Sequence, residues 1–123
     1  MGLINRFEDI IGWQEARKLT KDIYSLTNRQ PFFRDLGLRD QIQRASVSTM
    51  SNIAEGFDCQ SKVEFSRFLG IARRSAVEVQ SLLYVALDVQ YIDAAAFQRH
   101  YEQARKTKAL IGGFKKSLQS RIT

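Results

Sequence analysis

In "SKVEFSRFLGIARRSAVEVQSLLYVALDV", residues 61–89, apolar side chains return at steps of three and four: Phe65, Phe68, Leu69, Ala72, Ala76, Val79, Leu83 and Ala86. That period places them on one side of an α-helix, whereas a half-buried strand would alternate at every second residue. Ser61, with Glu64 three residues on, predicts a capping box at the start of the run. To about Val89 the helix spans roughly 40 Å at ~1.5 Å per residue.

The flanking segments repeat the pattern. Upstream, "RASVSTMSNIAEGF" (residues 44–57) belongs to a helix from about Leu36 to Glu55, with Leu38, Ile42, Ala45, Thr49 and Ile53 inward and Gly56 as a left-handed cap. Before it, Trp13, Ala16, Leu19, Ile23 and Leu26 stripe a helix from about Asp9 to Asn28, which "NRQPFF" with Pro31 ends. Downstream, Asp93 caps a fourth helix carrying Phe97, Tyr101, Ala104, Ile111, Phe114 and Leu118. Short connections make consecutive helices antiparallel, so the predicted fold is all-α: one up-down-up-down four-helix bundle over residues 1–123.

Composition agrees with that class. A single proline in 123 residues, with 44% hydrophobic and 26% charged residues, suits a helical globular chain and excludes a disordered one. Cys59 is the lone cysteine and cannot form an internal disulfide, and no apolar run reaches the roughly 18 residues of a membrane span. The amino terminus "MGLINRFEDIIGW" holds Glu8 and Asp9 and lacks a signal-peptide h-region. The expectation is a cytoplasmic protein with no membrane partner.

Ala45, Ser46, Ser48, Thr49, Ser51 and Ala54 are small enough to let a neighbouring backbone approach closely, within the bundle or between copies of it. A second-to-third-helix hairpin centred near Cys59 would bring Glu55 beside Lys62 and tilt Arg44 toward Glu78, an ion pair expected to set register. Glu55 otherwise opposes the helix dipole, so a cation should answer it.

From "GWQEARKLTKDIYSLT" through "QIQRASVSTMSNIAEGF" and "SKVEFSRFLGIARRSAVEVQSLL" to "ALDVQYI", most of residues 12–92 resemble the four-helix-bundle proteins encoded in intervening sequences of bacterial 23S rRNA genes. The likeness is carried by "NIAEG" with the following "EF..FL.IA..S..E", which includes Asn52, Glu55, Gly56 and Glu78, with Arg44 just upstream. Met50 stands where a proline is common and Arg74 where a glycine is common. The resemblance implies a homo-oligomeric ring, typically a pentamer, with a nucleic-acid role, RNA in preference to DNA, and no enzymatic activity. A more distant architectural likeness, to the accessory protein of diversity-generating retroelements, offers the alternative of a scaffold for a protein partner such as a reverse transcriptase.

Charge points the same way as the first reading. Residues 93–123 hold seven Lys or Arg against two acids, nearly all of the chain's net +6. Arg99, Arg105, Lys106, Lys108, Lys115, Lys116 and Arg121 thus make the fourth helix a candidate phosphate-binding face, with His100 and Tyr101 available for stacking, against the plainer reading of a solvated helix. Gly112 and Gly113 interrupt that helix at a cost on the order of 2 kcal/mol, so it bends, frays or is closely approached there. Trp13, Phe32 and Phe33 read as core and loop anchors. For catalysis the chain offers only a Cys59–His100 dyad, or Glu55 with Asp58 as a thin metal site; the expectation is no catalytic residue, no metal and no cofactor.

Overall fold

The computed structural model describes residues 4–120. Among these are four helices and no strand: α1 Ile11–Thr27, α2 Leu36–Asp58, α3 Lys62–Asp88 and α4 Ala94–Ser120, with single 3₁₀ turns at Phe7–Asp9 and Phe32–Arg34. Caps on the side-chain level fix three of the starts. Asp35 accepts from the Leu38 N–H, Ser61 from Glu64 and Asp93 from Ala96. Glu64 completes no capping box: its carboxylate pairs with Arg67 at 3.0 Å. Asp35 also accepts from the Tyr91 hydroxyl at 2.9 Å, tying the start of α2 to the α3–α4 connection. The Leu38 N–H, then the Tyr91 O–H, hold the Asp35 carboxyl below its usual range, and the same bond pushes the Tyr91 phenol up.

Each helix packs antiparallel on its chain neighbours, and α4 closes the cycle against α1. Thr20 Oγ1 donates to the Ser46 carbonyl, joining α1 to α2; Ser48 meets Ser75 across α2 and α3; Tyr84 stacks near Phe97 across α3 and α4; Gln103 Nε2 donates to Asp22 between α4 and α1. The interior has two apolar clusters. One holds Leu19, Ile23, Phe32, Ile42, Leu83 and Phe97; the other holds Trp13, Ile53, Phe65, Leu69, Ile111 and Leu118. Phe32 is a core anchor as expected, while Phe33 stays outside under the Arg39 guanidinium.

The small residues of α2 act inside the protomer. Ala45, Ser46 and Thr49 are buried and pack within one bundle, while Ser48, Ser51 and Ala54 are half-buried. The buried hydroxyls are not orphaned, because Thr49 donates to the Ala45 carbonyl and Ser46 to Gln43. Asn52 has a specific place here. Its Nδ2 donates to Ser48 Oγ at 2.9 Å, Ser48 and Ser75 hydroxyls lie 2.8 Å apart, and Ser75 reaches the Ile71 carbonyl at 3.1 Å. Since a carbonyl only accepts, the protons line up in one sense, from Asn52 through Ser48 and Ser75 to Ile71.

Three further expectations need correction. Gly56 is not a left-handed cap: α2 runs on to Asp58, and the left-handed residue of that hairpin is Gln60, at φ 57°. Gly56 is instead the point of closest approach of α2 to α3, where an added Cβ would lie 2.6 Å from Phe68 Cβ. The longer helix moves the hairpin centre from Cys59 toward Ser61, and among the described residues neither Glu55 with Lys62 nor Arg44 with Glu78 forms an ion pair. Arg44 and Glu78 are both exposed, and Gln41, one turn nearer the start of α2, donates to the Glu78 carboxylate at 3.5 Å. A surface contact of this kind contributes about 1 kcal/mol or less. Of the readings offered for Gly112 and Gly113, the bend is removed because α4 runs as unbroken helix to Ser120, and close approach is met at Gly112.

Candidate nucleic-acid interface

The seven cations expected to share a face of α4 do not. Lys106 turns toward α1, where it pairs with Glu15 at 3.3 Å. Arg99 lines a cleft against α1 with Asp22, Arg29 and His100. Arg105 is held by Glu102 at 2.9 Å. Arg121 lies outside the described residues. His100 is buried with Nδ1 2.7 Å from the Ala96 carbonyl, and Tyr101 stacks on Phe97, so neither presents a free ring to a base.

Lys115 lies on the α3 side of α4, and helical spacing puts Lys108, seven residues before it, and Lys116, four after the α3-facing Gly112, along the same side. Opposite them stand Arg73 and Arg74 of α3. The two helices interlock through glycine: the Lys115 chain crosses Gly70, its Cε 3.4 Å from where a Cβ would be, and Arg73 crosses Gly112, its Nε 3.5 Å from the equivalent point. Arg74 reaches the same Gly70 surface, with Nη1 at 3.8 Å. The close approach predicted as one reason for a glycine at 112 is therefore made by an arginine. At Gly113 no atom comes within 4 Å, and that glycine has no structural explanation.

Among the described residues, Arg73, Arg74, Lys108, Lys115 and Lys116 have no ion-pair partner. The reason is visible in the chain: residues 65–77 and 103–123 contain no acid, and the antiparallel α3–α4 register lays these two runs side by side. Unneutralised cations on two helices roughly 10 Å apart produce a positive strip able to meet several phosphates. Arg73 and Arg74 were missed by sequence reasoning because Glu64, Glu78 and Asp88 on the same helix mask them in any segment-wide charge count. Counting acids within helix-hairpin halves would have found them.

The remaining motif residues are structural. Asn52 belongs to the hydroxyl chain and Gly56 to the α2–α3 contact, whereas Glu55 borders an exposed groove with Phe57, Cys59 and Phe68. Cys59 and His100 sit at opposite ends of the bundle, so the dyad is ruled out by geometry. Among the described residues no three His, Cys, Asp or Glu side chains gather to hold a metal. No helix there is long and apolar enough to cross a membrane.

No curated protein matches the chain. Among solved structures, it is similar to a crystal structure of a protein of unknown function from the S23 ribosomal protein family of Bacteroides thetaiotaomicron VPI-5482. The two share 22% identity over 86% of this chain and 99% of that one, with a TM-score of 0.78, which establishes a shared fold. The sequence profile described as 23S rRNA-intervening sequence protein matches residues 8–113. With the NIAEG block, the four helices and that match together, the chain belongs to the 23S rRNA-intervening sequence protein family.

Proposed function

We propose that this protein is a non-enzymatic, cytoplasmic nucleic-acid-binding protein that engages phosphates through the strip formed by Arg73, Arg74, Lys108, Lys115 and Lys116. The observation that carries this reading is the pairing of two acid-free helical runs, which leaves five cations with no internal partner. From Lys108 to Lys116 the strip is only about 12 Å long at ~1.5 Å per residue, enough for a few phosphates. A single copy binds weakly; a homo-oligomeric ring, pentameric as in the family resemblance, repeats the strip and adds avidity. RNA is placed ahead of DNA on the family's link with rRNA genes alone.

A second reading, a scaffold for a protein such as a reverse transcriptase, is favoured by Val77, Tyr84 and Val85, which are 41%, 49% and 43% exposed along the outer side of α3. We assign that apolar line to contact with a second copy. Light scattering should therefore exceed the 14.1 kDa of one protomer, and a monomer at micromolar concentration would remove the ring.

Filter binding of labelled RNA and DNA at two salt concentrations separates the readings. Phosphate contact predicts that log affinity falls against log salt with a slope of about −0.9 per neutralised phosphate for duplex, or about −0.7 for single strands. A flat response would favour the scaffold.

A further inference from the structure

On the flank of α4 away from this strip, a cleft of about 220 Å³ opens between the last turns of α1 and the early turns of α4, lined by Asp22, Ser25, Leu26, Arg29, Arg99, His100 and Gln103. Its chemistry is unusual for a surface crevice. Neither Arg29 nor Arg99 has an acidic partner among the described residues, and the one carboxylate present, Asp22, accepts from Gln103 Nε2 at 2.8 Å. His100 is only 7% exposed. Its Nδ1 lies 2.7 Å from the Ala96 carbonyl, which only accepts, so Nδ1 carries a proton and the ring orientation is fixed. Nε2 has no protein partner, yet no buried side-chain nitrogen or oxygen among the described residues is left unpaired; Nε2 therefore opens to the cleft that the ring lines.

We propose that this cleft binds the phosphoryl group of a phosphomonoester. Arginines line both walls, Arg29 from the turn after α1 and Arg99 from α4, and Ser25 adds a hydroxyl donor, which suits the three terminal oxygens of a phosphoryl group better than the two of a carboxylate. Nε2 of His100 accepts from the P–OH of a monoanion, or donates to the dianion when the ring carries a second proton. The volume is below the roughly 300–1,000 Å³ of pockets that enclose a whole drug-sized ligand, so the phosphoryl end enters and the rest of the molecule stays outside. Two sources present this group, the 5′ end of a nucleic acid and a free nucleoside monophosphate. The site shares no residue with the α3–α4 strip and stands or falls separately from it.

The test is a titration of the intact protein at constant ionic strength, followed by amide NMR, with inorganic phosphate, AMP and acetate. Phosphate and AMP should give saturable shifts at residues 22–29 and 96–103, and acetate at equal concentration should not. Arg29→Gln with Arg99→Gln, at exposed positions that leave the core intact, should weaken phosphate binding at least about tenfold, as expected for two charge-assisted contacts. Arg73→Gln with Lys115→Gln should leave it unchanged. Shifts that never saturate, or equal losses in both double variants, would overturn the site. Comparing 5′-phosphorylated with 5′-hydroxyl oligonucleotides then assigns the source: preference for the phosphorylated end indicates nucleic acid, and AMP binding without it indicates a free nucleotide.

Discussion

Replacing Arg73, Arg74, Lys108 and Lys115 together by glutamine is expected to lower nucleic-acid affinity by about three orders of magnitude near 0.15 M salt while leaving the helical circular dichroism intact. Each neutralised phosphate contributes about 0.9 to the salt slope on a duplex, and hence roughly 0.75 to log affinity at that ionic strength. The variant should bind with a slope flatter by about 3.6. Sequence preference should scarcely change, because cations at phosphates position the ligand and do not read bases. Lys106→Gln is the internal control: that ammonium already answers Glu15 and should matter little. Filter binding across a salt series reads all of these. Unchanged affinity in the fourfold variant would move the function to another face or to a protein partner.

Gly56→Ala is expected to destabilise the bundle by about 2 kcal/mol, lowering the melting temperature by roughly 6–10 °C for a domain of this size. The new methyl would lie 2.6 Å from Phe68 Cβ and 2.9 Å from Phe65 Cδ1. Phe68 Cβ is fixed to the α3 backbone and cannot rotate away, so the two helices must separate. Overpacking of this kind costs about 3 kcal/mol, which the better helix propensity of alanine offsets by about 1. Gly113→Ala, where nothing lies within 4 Å, should gain about 1 kcal/mol instead. Urea unfolding of the two variants makes the comparison, and equal behaviour would show that the close approach at Gly56 is not under compression.

The helices were legible because each buries a stripe at helical spacing, and their amino-terminal caps because Asp35, Ser61 and Asp93 are the residue types that satisfy free N–H groups; of these, only Ser61 and Asp93 were identified from sequence. Gly56 misled because glycine serves two needs, a left-handed turn or absence of a side chain, and only the position of Phe65 and Phe68 on a different helix decides between them. The second hairpin shows the same ambiguity from the other side. It closes with Gln90 at φ 65°, the Tyr91 N–H returning to Ala86 and the Gln90 N–H to Leu87, a Schellman motif without glycine.

Arg44 and Glu78 were placed at nearly the right height along the hairpin but at the wrong azimuth. Gln41, Ala45, Ser48 and Asn52 follow the line that faces α3, and Arg44 lies to its outer side. The candidate interface was half legible for a related reason. Spacing along α4 separates Lys108 and Lys115 from Arg99 and Lys106, yet which group meets α3 and which meets α1 depends on how the cycle of helices closes.

The one-directional chain of protons from Asn52 through Ser48 and Ser75 to the Ile71 carbonyl has a mechanical consequence. Its end links lie within α2 and within α3, so sliding one helix along the other breaks the Ser48–Ser75 link that joins them and takes the Ser48 proton's partner away, at about 1–3 kcal/mol. With the close approach of Gly56 to Phe68, that link resists sliding and makes α2 and α3 the stiffer plate of the bundle. Compliance is left to the α1–α4 seam, where Gln103 to Asp22 and Lys106 to Glu15 are contacts that water can replace and salt can weaken. The basic strip stands on the plate's α3 edge, while the phosphoryl cleft straddles the seam. A ligand there would act as a clamp across the seam that these exposed contacts hold most loosely.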